Sequence, residues 1–319
     1  MVAPRIGKHG ALVHVGVYAN HVSTIAISGA SGFIGSALSD FLRARGDRVR
    51  PLVRPGQRVS DGIHWDPAGG TIDQRALEAV DAVVHLAGES VAEGRWSAEK
   101  KQRIRDSRVR GTTLVAGALA GLRHKPRVFL SGSAVGYYGD CGEREIDESD
   151  PPGSDFLSEV SVAWEAAARP AVDADVRVAH PRIGLVLAPH GGALAKMLLP
   201  FKLGLGGTLG EGRQWMSWIA IVDAVRALVH ALDVESVRGP FNVTAPTPVT
   251  NAEFTRALGR ALRRPTLFAL PKFAARAAFG EMADVALLSG VRALPTRLLA
   301  SGFRFEQPEL ERFLSQALG

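Results

Sequence analysis

The sequence predicts an α/β protein with a doubly wound parallel sheet and a smaller C-terminal lobe. Short apolar runs alternate with helical apolar patterns over most of the chain, which is typical of parallel strands joined by helices. The first run, Thr24–Ser28, turns through spaced glycines into a helical pattern. After Gly184 the pattern changes to short apolar stretches interrupted by glycines, which predicts a second lobe over a ligand site.

Three glycines lie three residues apart where the first strand meets the first helix, in the segment TIAISGASGFIGSAL (Thr24–Leu38). A strand that turns into a helix through glycines brings bare backbone N–H groups and the helix dipole against a pyrophosphate. A tight βα connection without a ligand is the alternative, but both flanking elements are present, as the motif requires. We therefore predict a Rossmann-type dinucleotide site. The predicted cofactor contacts are Gly29, Ser31, Gly32, Phe33, Ile34, Gly35, Arg54, Leu86, Ala87, Gly88, Arg108, Ser131 and Pro181.

The remaining elements follow from apolar periodicity, helix caps and turn residues. In chain order we predict a helix at Phe33–Arg45 closed by Gly46, strands at Arg48–Val53 and Ile63–Asp66, a helix at Asp73–Val80, a strand at Ala82–Ala87, a helix at Ala98–Leu122 capped by Ser97, a strand at Arg127–Leu130, a helix at Phe156–Ala171, a strand at Val176–Ala179, a helix opened by Trp218–Asp223 and running to Leu232, a strand at Phe241–Val243, and a helix at Asn251–Leu262 capped by Thr250 or Asn251.

The domain boundaries follow from the same pattern. Residues 1–22 are predicted to be a disordered leader, and residues 23–183 with 217–245 a dinucleotide-binding domain. Residues 184–216, predicted to be a mobile glycine-rich region, join residues 246–319 in a substrate lobe with a helical C-terminal part.

Arg54 follows the second predicted strand, and no acidic residue stands beside it. At this point of a nicotinamide-binding domain an acid binds the ribose 2′-hydroxyl, whereas an arginine accommodates a 2′-phosphate. A solvated arginine at a strand end is the alternative. The missing acid predicts NADP(H) rather than NAD.

Composition narrows the classes of protein and partner. The net charge of +6 comes from scattered basic residues, and no nucleic-acid module is recognisable. A single cysteine, Cys141, excludes an intrachain disulfide and agrees with a reducing cytoplasm. The nine histidines lack metal-ligand spacing, and no apolar run reaches the length of a membrane span. We expect a small-molecule substrate and neither a metal, a nucleic acid nor a membrane as partner.

Several sequence segments together resemble those of a known family: SGASGFIG, HLAGES, KKQRIRDSRVRGT, SGSAVGYYGD, FLSEVSVAWEAAA, PRIGLVL, LPFKLGLGGTLGEGRQWMSWIAIVD and GPFNVTAPTPVTN. They are similar to the extended or atypical short-chain dehydrogenase/reductase superfamily, whose version of the glycine loop is GxxGxxG. More narrowly they resemble its nucleoside-diphosphate-sugar epimerase branch, which ends in a small C-terminal domain of unknown function. The resemblance implies a Rossmann domain, NADP binding, a substrate lobe and, because extended members are often dimers, a homodimer.

This sequence matches one catalytic position of the family and departs from it at two others. Ser133, or less favourably Ser131, stands where extended members place a Ser or Thr that hydrogen-bonds the substrate oxygen. The family's catalytic Tyr would fall at Phe156 or Leu157, and its Lys at Val160 or Ser161, so the YxxxK pair is absent. The Asn that often completes the set is replaced by Arg108.

Hydride transfer at a carbon bearing oxygen needs a group that handles the hydroxyl proton. The predicted candidates are Ser133, Tyr137 and Glu89, and the less favoured ones are Tyr138, Arg108 and Lys196. Packing is the alternative for the tyrosines, an ion pair at the rim for Glu89 and solvation for Lys196.

Substrate contacts are predicted at Arg182, Lys196 and Trp215. Arg182 could hold a phosphate or carboxylate by two parallel hydrogen bonds, or form a salt bridge that locks its loop. Trp215 could stack on a flat group or fill the interface between the lobes. Relatives often carry a His where this chain has Ala220.

The leading functional prediction is an NADP(H)-binding oxidoreductase or epimerase acting on a small or nucleotide-linked substrate. The alternative is an NADPH-binding sensor or regulatory protein with little or no catalysis, which the absent Tyr and Lys favour.

Overall fold

The computed structural model describes residues 22–57 and 59–319. The prediction of a leader at residues 1–22 therefore lies, except for Val22, outside the described residues. The strands are β1 (Thr24–Ser28), β2 (Arg48–Val53), β3 (Ile63–Asp66), β4 (Thr71–Ile72), β5 (Ala82–His85), β6 (Val128–Ser131), β7 (Ser133–Ala134), β8 (Glu145–Ile146), β9 (Val178–Ile183), β10 (Leu185–Ala188), β11 (Gly207–Leu209), β12 (Trp215–Met216), β13 (Trp218–Ala220), β14 (Gly239–Val243), β15 (Val249–Thr250), β16 (Phe268–Leu270) and β17 (Arg292–Ala293). The α-helices are α1 (Phe33–Arg45), α2 (Gln74–Leu77), α3 (Ala98–Ala120), α4 (Phe156–Ala166), α5 (Arg169–Asp173), α6 (Gly192–Lys202), α7 (Ile221–Asp233), α8 (Asn251–Leu262), α9 (Lys272–Phe279), α10 (Thr296–Ala300) and α11 (Leu310–Leu318).

The main sheet has the strand order β14-β9-β6-β5-β1-β2-β3-β4, with β7 paired to β9. Pairing is parallel from β14 to β3, and only the short β4 is antiparallel. The direction of chain progression reverses between β1 and β5, which defines the switch point where ligands bind in this type of sheet. The predicted Rossmann-type doubly wound sheet is confirmed.

Helices cover both faces of the sheet and bury two separate apolar layers. Leu38 and Leu42 of α1 pack with α7 on one face, while Val115 and Leu119 of α3 pack on the other. A third core lies in the smaller lobe, where the Trp218 indole stacks on the ring of Phe313 with 5.9 Å between ring centroids.

The C-terminal segment is tied back into the main domain. Strand β17 pairs in parallel with β8, which belongs to the first half of the chain. The buried carboxylate of Asp223 on α7 accepts hydrogen bonds from the backbone N–H groups of Glu306 and Gln307, both at 2.8 Å. The smaller lobe is therefore built from several parts of the sequence.

Several predicted elements need correction. The helix at Asp73–Val80 shrinks to α2 because Asp73 is its N-cap, and the strand at Ala82–Ala87 ends at His85. The helix at Phe156–Ala171 divides into α4 and α5, and the second begins at Arg169 with Pro170 in its first turn.

The predictions around the start of the second lobe were also wrong. Trp218–Ala220 forms strand β13 rather than the first turn of α7, because it pairs in parallel with β10. The region 184–216 holds β10, the eleven-residue α6 and β11, so it is not one continuous loop.

Candidate functional site

The glycine loop lies against the carboxyl end of β5. Gly29 has φ of 71°, and a Cβ added there would stand 3.0 Å from the backbone nitrogen of Ala87. A Cβ at Gly35 would stand 2.0 Å from the carbonyl oxygen of Gly29. Only glycine permits this approach of loop, helix and neighbouring strand.

The N-terminus of α1 is open to an anion. Its N-cap residue is Gly32, whose position supplies no side-chain hydrogen bond, and the first turn contains no acidic residue. The first N–H groups of the helix and the positive end of its dipole are thus uncompensated by side chains. The ring of Phe33 packs against Gly191, the N-cap of α6, and Gly192, its first residue, so the second lobe begins beside this loop. These features fit the predicted pyrophosphate.

Arg54 is exposed directly after β2, and β2 is the neighbour of β1 in the sheet. Its backbone N–H donates to Oε1 of Gln57 at 3.1 Å. Arg54 therefore follows a strand at the same edge of the sheet as the glycine loop, where the predicted 2′-phosphate contact requires it.

A row of buried polar residues crosses the carboxyl edge of the sheet. Ser28, His85, Ser131 and His180 end or lie within four adjacent strands, and the pairing places the first three in register. Sequence analysis missed the two histidines, because each follows an apolar run and resembles a core position. The signal that could have found them is one polar residue recurring at the end of several buried strands.

The hydroxyl of Ser28 organises the start of this row. Its oxygen accepts the backbone N–H groups of Leu86 and Ala87, both at 3.2 Å, and lies 2.6 Å from Nδ1 of His85. If the Ser28 hydroxyl donates to Nδ1, the proton of neutral His85 resides on Nε2. Burial lowers the pKa of His85 to about 4.

Arg108 reaches from α3 to the loop after β5. Its Nη1 donates to the carbonyl oxygens of Glu89 and Ile104, each at 3.0 Å, and its guanidinium lies against Gly88. Burial lowers the pKa of Arg108 to about 10, and the guanidinium remains charged at neutral pH. The side chain thus fixes the backbone of residues 88–89.

The carboxylate of Glu89 is an ion-pair partner. Nζ of the buried Lys100 donates to its Oε1 at 2.8 Å, and Nε of Arg103 lies 3.6 Å from the same oxygen. The hydrogen bond from Lys100 lowers the pKa of Glu89 below its usual value. Its geometry matches the alternative of a paired carboxylate at the rim, and it supplies no proton near neutral pH.

Ser133, Glu165 and Arg182 form a connected cluster. The hydroxyl of Ser133 donates to Oε1 of Glu165 at 2.7 Å. Arg182 donates from Nε to Oε1 at 2.8 Å and from Nη2 to Oε2 at 3.0 Å, a two-pronged salt bridge. The pairing of β7 with β9 sets Ser133 opposite Arg182. Because a carboxylate only accepts, the Ser133 proton is committed to Glu165, and a ligand meets Ser133 as an acceptor.

The two tyrosines contact Arg182 in different ways. The Tyr138 hydroxyl accepts from Nη1 of Arg182 at 2.9 Å and donates to Oδ1 of Asn242 at 2.8 Å. Burial raises the pKa of Tyr138 to about 12. The guanidinium carbon of Arg182 lies 3.4 Å from the centre of the Tyr137 ring. Tyr138 is therefore locked as a neutral link, while Tyr137 is half-buried.

Arg182 is held within the protein by these contacts. Burial alone would lower its pKa, but the hydrogen bonds and charge of Glu165 raise it above the ordinary value. The side chain is 3% exposed and turned to Glu165, as the alternative of a loop-locking salt bridge requires. Sequence analysis did not single out Glu165 as a candidate site residue.

The positions of the absent Tyr and Lys are filled by groups that do not titrate. Leu157 packs against Gly136, and Ser161 donates its hydroxyl to the carbonyl oxygen of Leu157 at 2.8 Å. Phe156 instead packs its ring against Trp96. Helix α4 thus contributes packing at its start and Glu165 near its end.

The remaining predicted residues lie on separate elements. Pro181 is buried on β9, and Lys196 is exposed on α6. Trp215 donates its Nε1–H to Oε2 of Glu143 at 2.9 Å, and the Arg292 guanidinium lies 4.1 Å from its ring centre. The indole therefore bridges the smaller lobe and the loop before β8.

Comparisons with known proteins agree with this geometry. Residues 25–244 match the model of the NAD dependent epimerase/dehydratase family, and residues 270–317 match a domain of unknown function, DUF1731. An epimerase family protein of Mycobacterium bovis is 47% identical over 295 residues, which is 92% of this chain and 97% of that protein.

Two solved structures extend the likeness to the fold. The human epimerase family protein SDR39U1 (isoform 2), crystallised with NADPH, has a TM-score of 0.85 at 37% identity, over 92% of this chain and 99% of that chain. A nucleoside-diphosphate sugar epimerase from Corynebacterium glutamicum has a TM-score of 0.78 at 32% identity, over 94% of this chain and 59% of that longer chain. The glycine loop, the strand order and these matches together show that the chain belongs to the NAD dependent epimerase/dehydratase family, within the extended short-chain dehydrogenase/reductase group.

Proposed function

We propose that this protein binds NADP(H) at the switch point of its sheet and transfers a hydride at a hydroxyl-bearing carbon of a small or nucleotide-linked substrate. The reaction class is oxidoreduction or epimerisation. The observation that carries the proposal is the glycine loop, where the N-terminus of α1, which no side chain caps, lies beside the carboxyl end of β5. The human relative crystallised with NADPH supports the same cofactor.

The chain's own groups fit this cofactor. The backbone of the Gly29–Gly35 loop would hold the pyrophosphate, and Arg54 the ribose 2′-phosphate. The ends of β5 and β6, with Arg108 behind them, would lie beside the nicotinamide. The nicotinamide, when bound, supplies or accepts the hydride.

Ser133 is suited to hydrogen-bond a hydroxyl group of the substrate rather than a carbonyl group. Its proton is donated to Glu165, so its free lone pair accepts a hydrogen bond from a substrate O–H. The two-pronged salt bridge from Arg182 holds the Glu165 carboxylate in place as the acceptor of this hydrogen bond. Ser133 would therefore position an alcohol, with Glu165 holding its orientation.

An NADPH-binding sensor is the second candidate. The places of the usual acid/base pair fall at Phe156 or Leu157 and at Val160 or Ser161, none of which can act as that pair. The Tyr138 hydroxyl is hydrogen-bonded to both Arg182 and Asn242. A site without an acid/base group can bind a dinucleotide but transfers a proton poorly. This favours a protein that binds NADPH without consuming it.

A turnover screen separates the two candidates. Wild type, Ser133→Ala and the exposed control Ser315→Ala are incubated with NADP⁺ or NADPH and a panel of alcohols, carbonyl compounds and nucleotide sugars. Absorbance at the nicotinamide band reports oxidoreduction, and proton NMR of the sugars reports epimerisation. We expect stereospecific turnover that falls at least about 100-fold in Ser133→Ala, because a positioned hydroxyl is lost. NADPH that binds but is never consumed would instead support the sensor.

A further inference from the structure

The end of helix α6 and the segment around β16 expose an unusual set of large apolar side chains. Leu267 is 86% exposed and Phe273 75% exposed, so both project into solvent. We call this set the apolar face; its members are Leu199, Leu203, Leu205, Leu267, Phe268 and Phe273. Contiguous exposed apolar surface of this kind marks a site of interaction.

The members of the apolar face lie on neighbouring elements of the fold. Strands β11 and β16 pair in parallel with Gly207 opposite Phe268, so Leu205 and Leu267, two residues and one residue before that pair, enter the pairing from the same end. Phe273 follows two residues after Pro271, at the start of α9. Helix α6 begins beside Phe33 of the cofactor loop and rises about 16 Å over its eleven residues, so this face lies away from the cofactor.

Arginines border the apolar face at the end of α8. They line an open pocket of about 410 Å³ that also includes Thr266, the residue before Leu267; they are Arg256, Arg260, Arg263 and Arg264. Arg260 pairs with Glu311 at 2.8 Å. Over residues 22–57 and 59–319, no carboxylate comes within ion-pair range of Arg263 or Arg264.

The backbone at Arg263 is in the left-handed region, with φ of 53° and ψ of 45°. This is the position after a helix that glycine usually occupies, because a Cβ is strained there. An arginine at this point costs stability that a glycine would not. Backbone strain together with an unpaired charge beside an apolar face points to a function for the side chain.

We propose that the apolar face, with Arg263 and Arg264, docks this protein on an anionic lipid surface. Protruding leucine and phenylalanine side chains suit the acyl boundary, and flanking arginines suit phosphate headgroups. A second copy fits less well, since a two-fold contact through this face would bring its arginines together. An acidic peptide fits less well, because these side chains project outward instead of lining a groove.

Such docking needs no membrane span, and within the described part of the chain no helix is long and apolar enough to cross a bilayer. The expectation that no membrane is a partner rested on the absence of a long apolar run. The residues of the apolar face are separated in sequence, and only the fold assembles them.

Vesicle flotation with the full chain tests the proposal. Vesicles of phosphatidylcholine with 30% phosphatidylglycerol are compared with pure phosphatidylcholine, at low and at high salt. We expect binding to the anionic vesicles alone, weakened by salt. Arg263→Gly should lower the partition coefficient about fivefold, and the double change with Arg264→Gln about 25-fold. Leu267→Ser should lower it roughly tenfold.

Arg263→Gly makes the test specific, because glycine relieves the backbone strain and should leave the melting temperature unchanged or higher. Arg238→Gln and Val172→Ser, exposed at other places, serve as controls and should bind like wild type. Equal binding to both vesicle types, or unchanged binding in Arg263→Gly, would overturn the proposal. The proposal would also be overturned if sedimentation showed a dimer that Leu267→Ser dissociates. Displacement of the protein from vesicles by an acidic peptide, at equal charge concentration, would overturn it as well.

Discussion

The role of Arg182 depends on the residues that surround it in the folded protein. Sequence analysis offered two roles, an anion contact or a locking salt bridge, and the geometry matches the second. The deciding residue, Glu165, lies 17 positions away in the chain. Its carboxylate is buried enough that loss of the arginine would leave an unpaired charge, which costs several kcal/mol.

Arg54 carries the prediction of cofactor preference at the same scale. We expect wild type to bind NADPH more tightly than NADH, and Arg54→Asp to reverse that preference by at least about tenfold, since an acid favours the free 2′-hydroxyl. Fluorescence titration with both cofactors measures this. Arg238→Asp makes the same charge change at the opposite edge of the sheet and should leave the ratio unaltered. A wild type that prefers NADH would refute the role given to Arg54.

Among the elements, those with local start and stop signals were predicted well. Helix α1 begins after a glycine loop and ends at Gly46 in the left-handed region, and α8 starts at the capping box of Thr250 and Glu253. Strand β13 was mistaken for helix because its pairing with β10 is not visible locally. Pairing partners far away in sequence decide such short apolar segments.

The open end of α1 gives a prediction for that element. NADPH at 100 times its Kd should stabilise the protein by about 2.7 kcal/mol and raise Tm by roughly 5 °C. Gly32→Asp adds a good N-cap and a negative charge, so the helix should persist while the shift with NADPH disappears. Gly32→Ser adds a similar side chain without charge and should retain much of the shift. Thermal melting with and without NADPH measures both variants, and an equal shift in them would argue against a pyrophosphate at this helix.

At the scale of the whole molecule, buried histidines link stability to pH. Burial lowers the pKa of His85 to about 4 and also lowers the pKa values of His180 and His230. The unfolded chain binds these protons near pH 6.5, so the contribution of these histidines to stability is full above that pH and declines as the pH falls towards 4. His85 alone accounts for about 3 kcal/mol across this window.

Urea unfolding at pH 7.5, 6.0 and 4.5 checks this linkage. Wild type should exceed His85→Gln in midpoint at pH 7.5, and the difference should shrink as the pH falls. His124→Gln removes an exposed histidine and should follow wild type at every pH. A difference between wild type and His85→Gln that stays constant would mean that His85 does not titrate as burial requires.

By itself the sequence determined the α/β class, the glycine loop, most helix caps, the position of Ser133 and the absence of the YxxxK pair. These depend on residues close together in the chain, where backbone conformation and periodicity act locally. Only the tertiary structure decided that Ser133 is an acceptor, that Glu89 is paired with Lys100, and that His85 and Ser131 meet at one edge. It also assembled the apolar face from α6, β16 and α9. Burial and pairing between distant strands set these properties, and a linear pattern does not contain them.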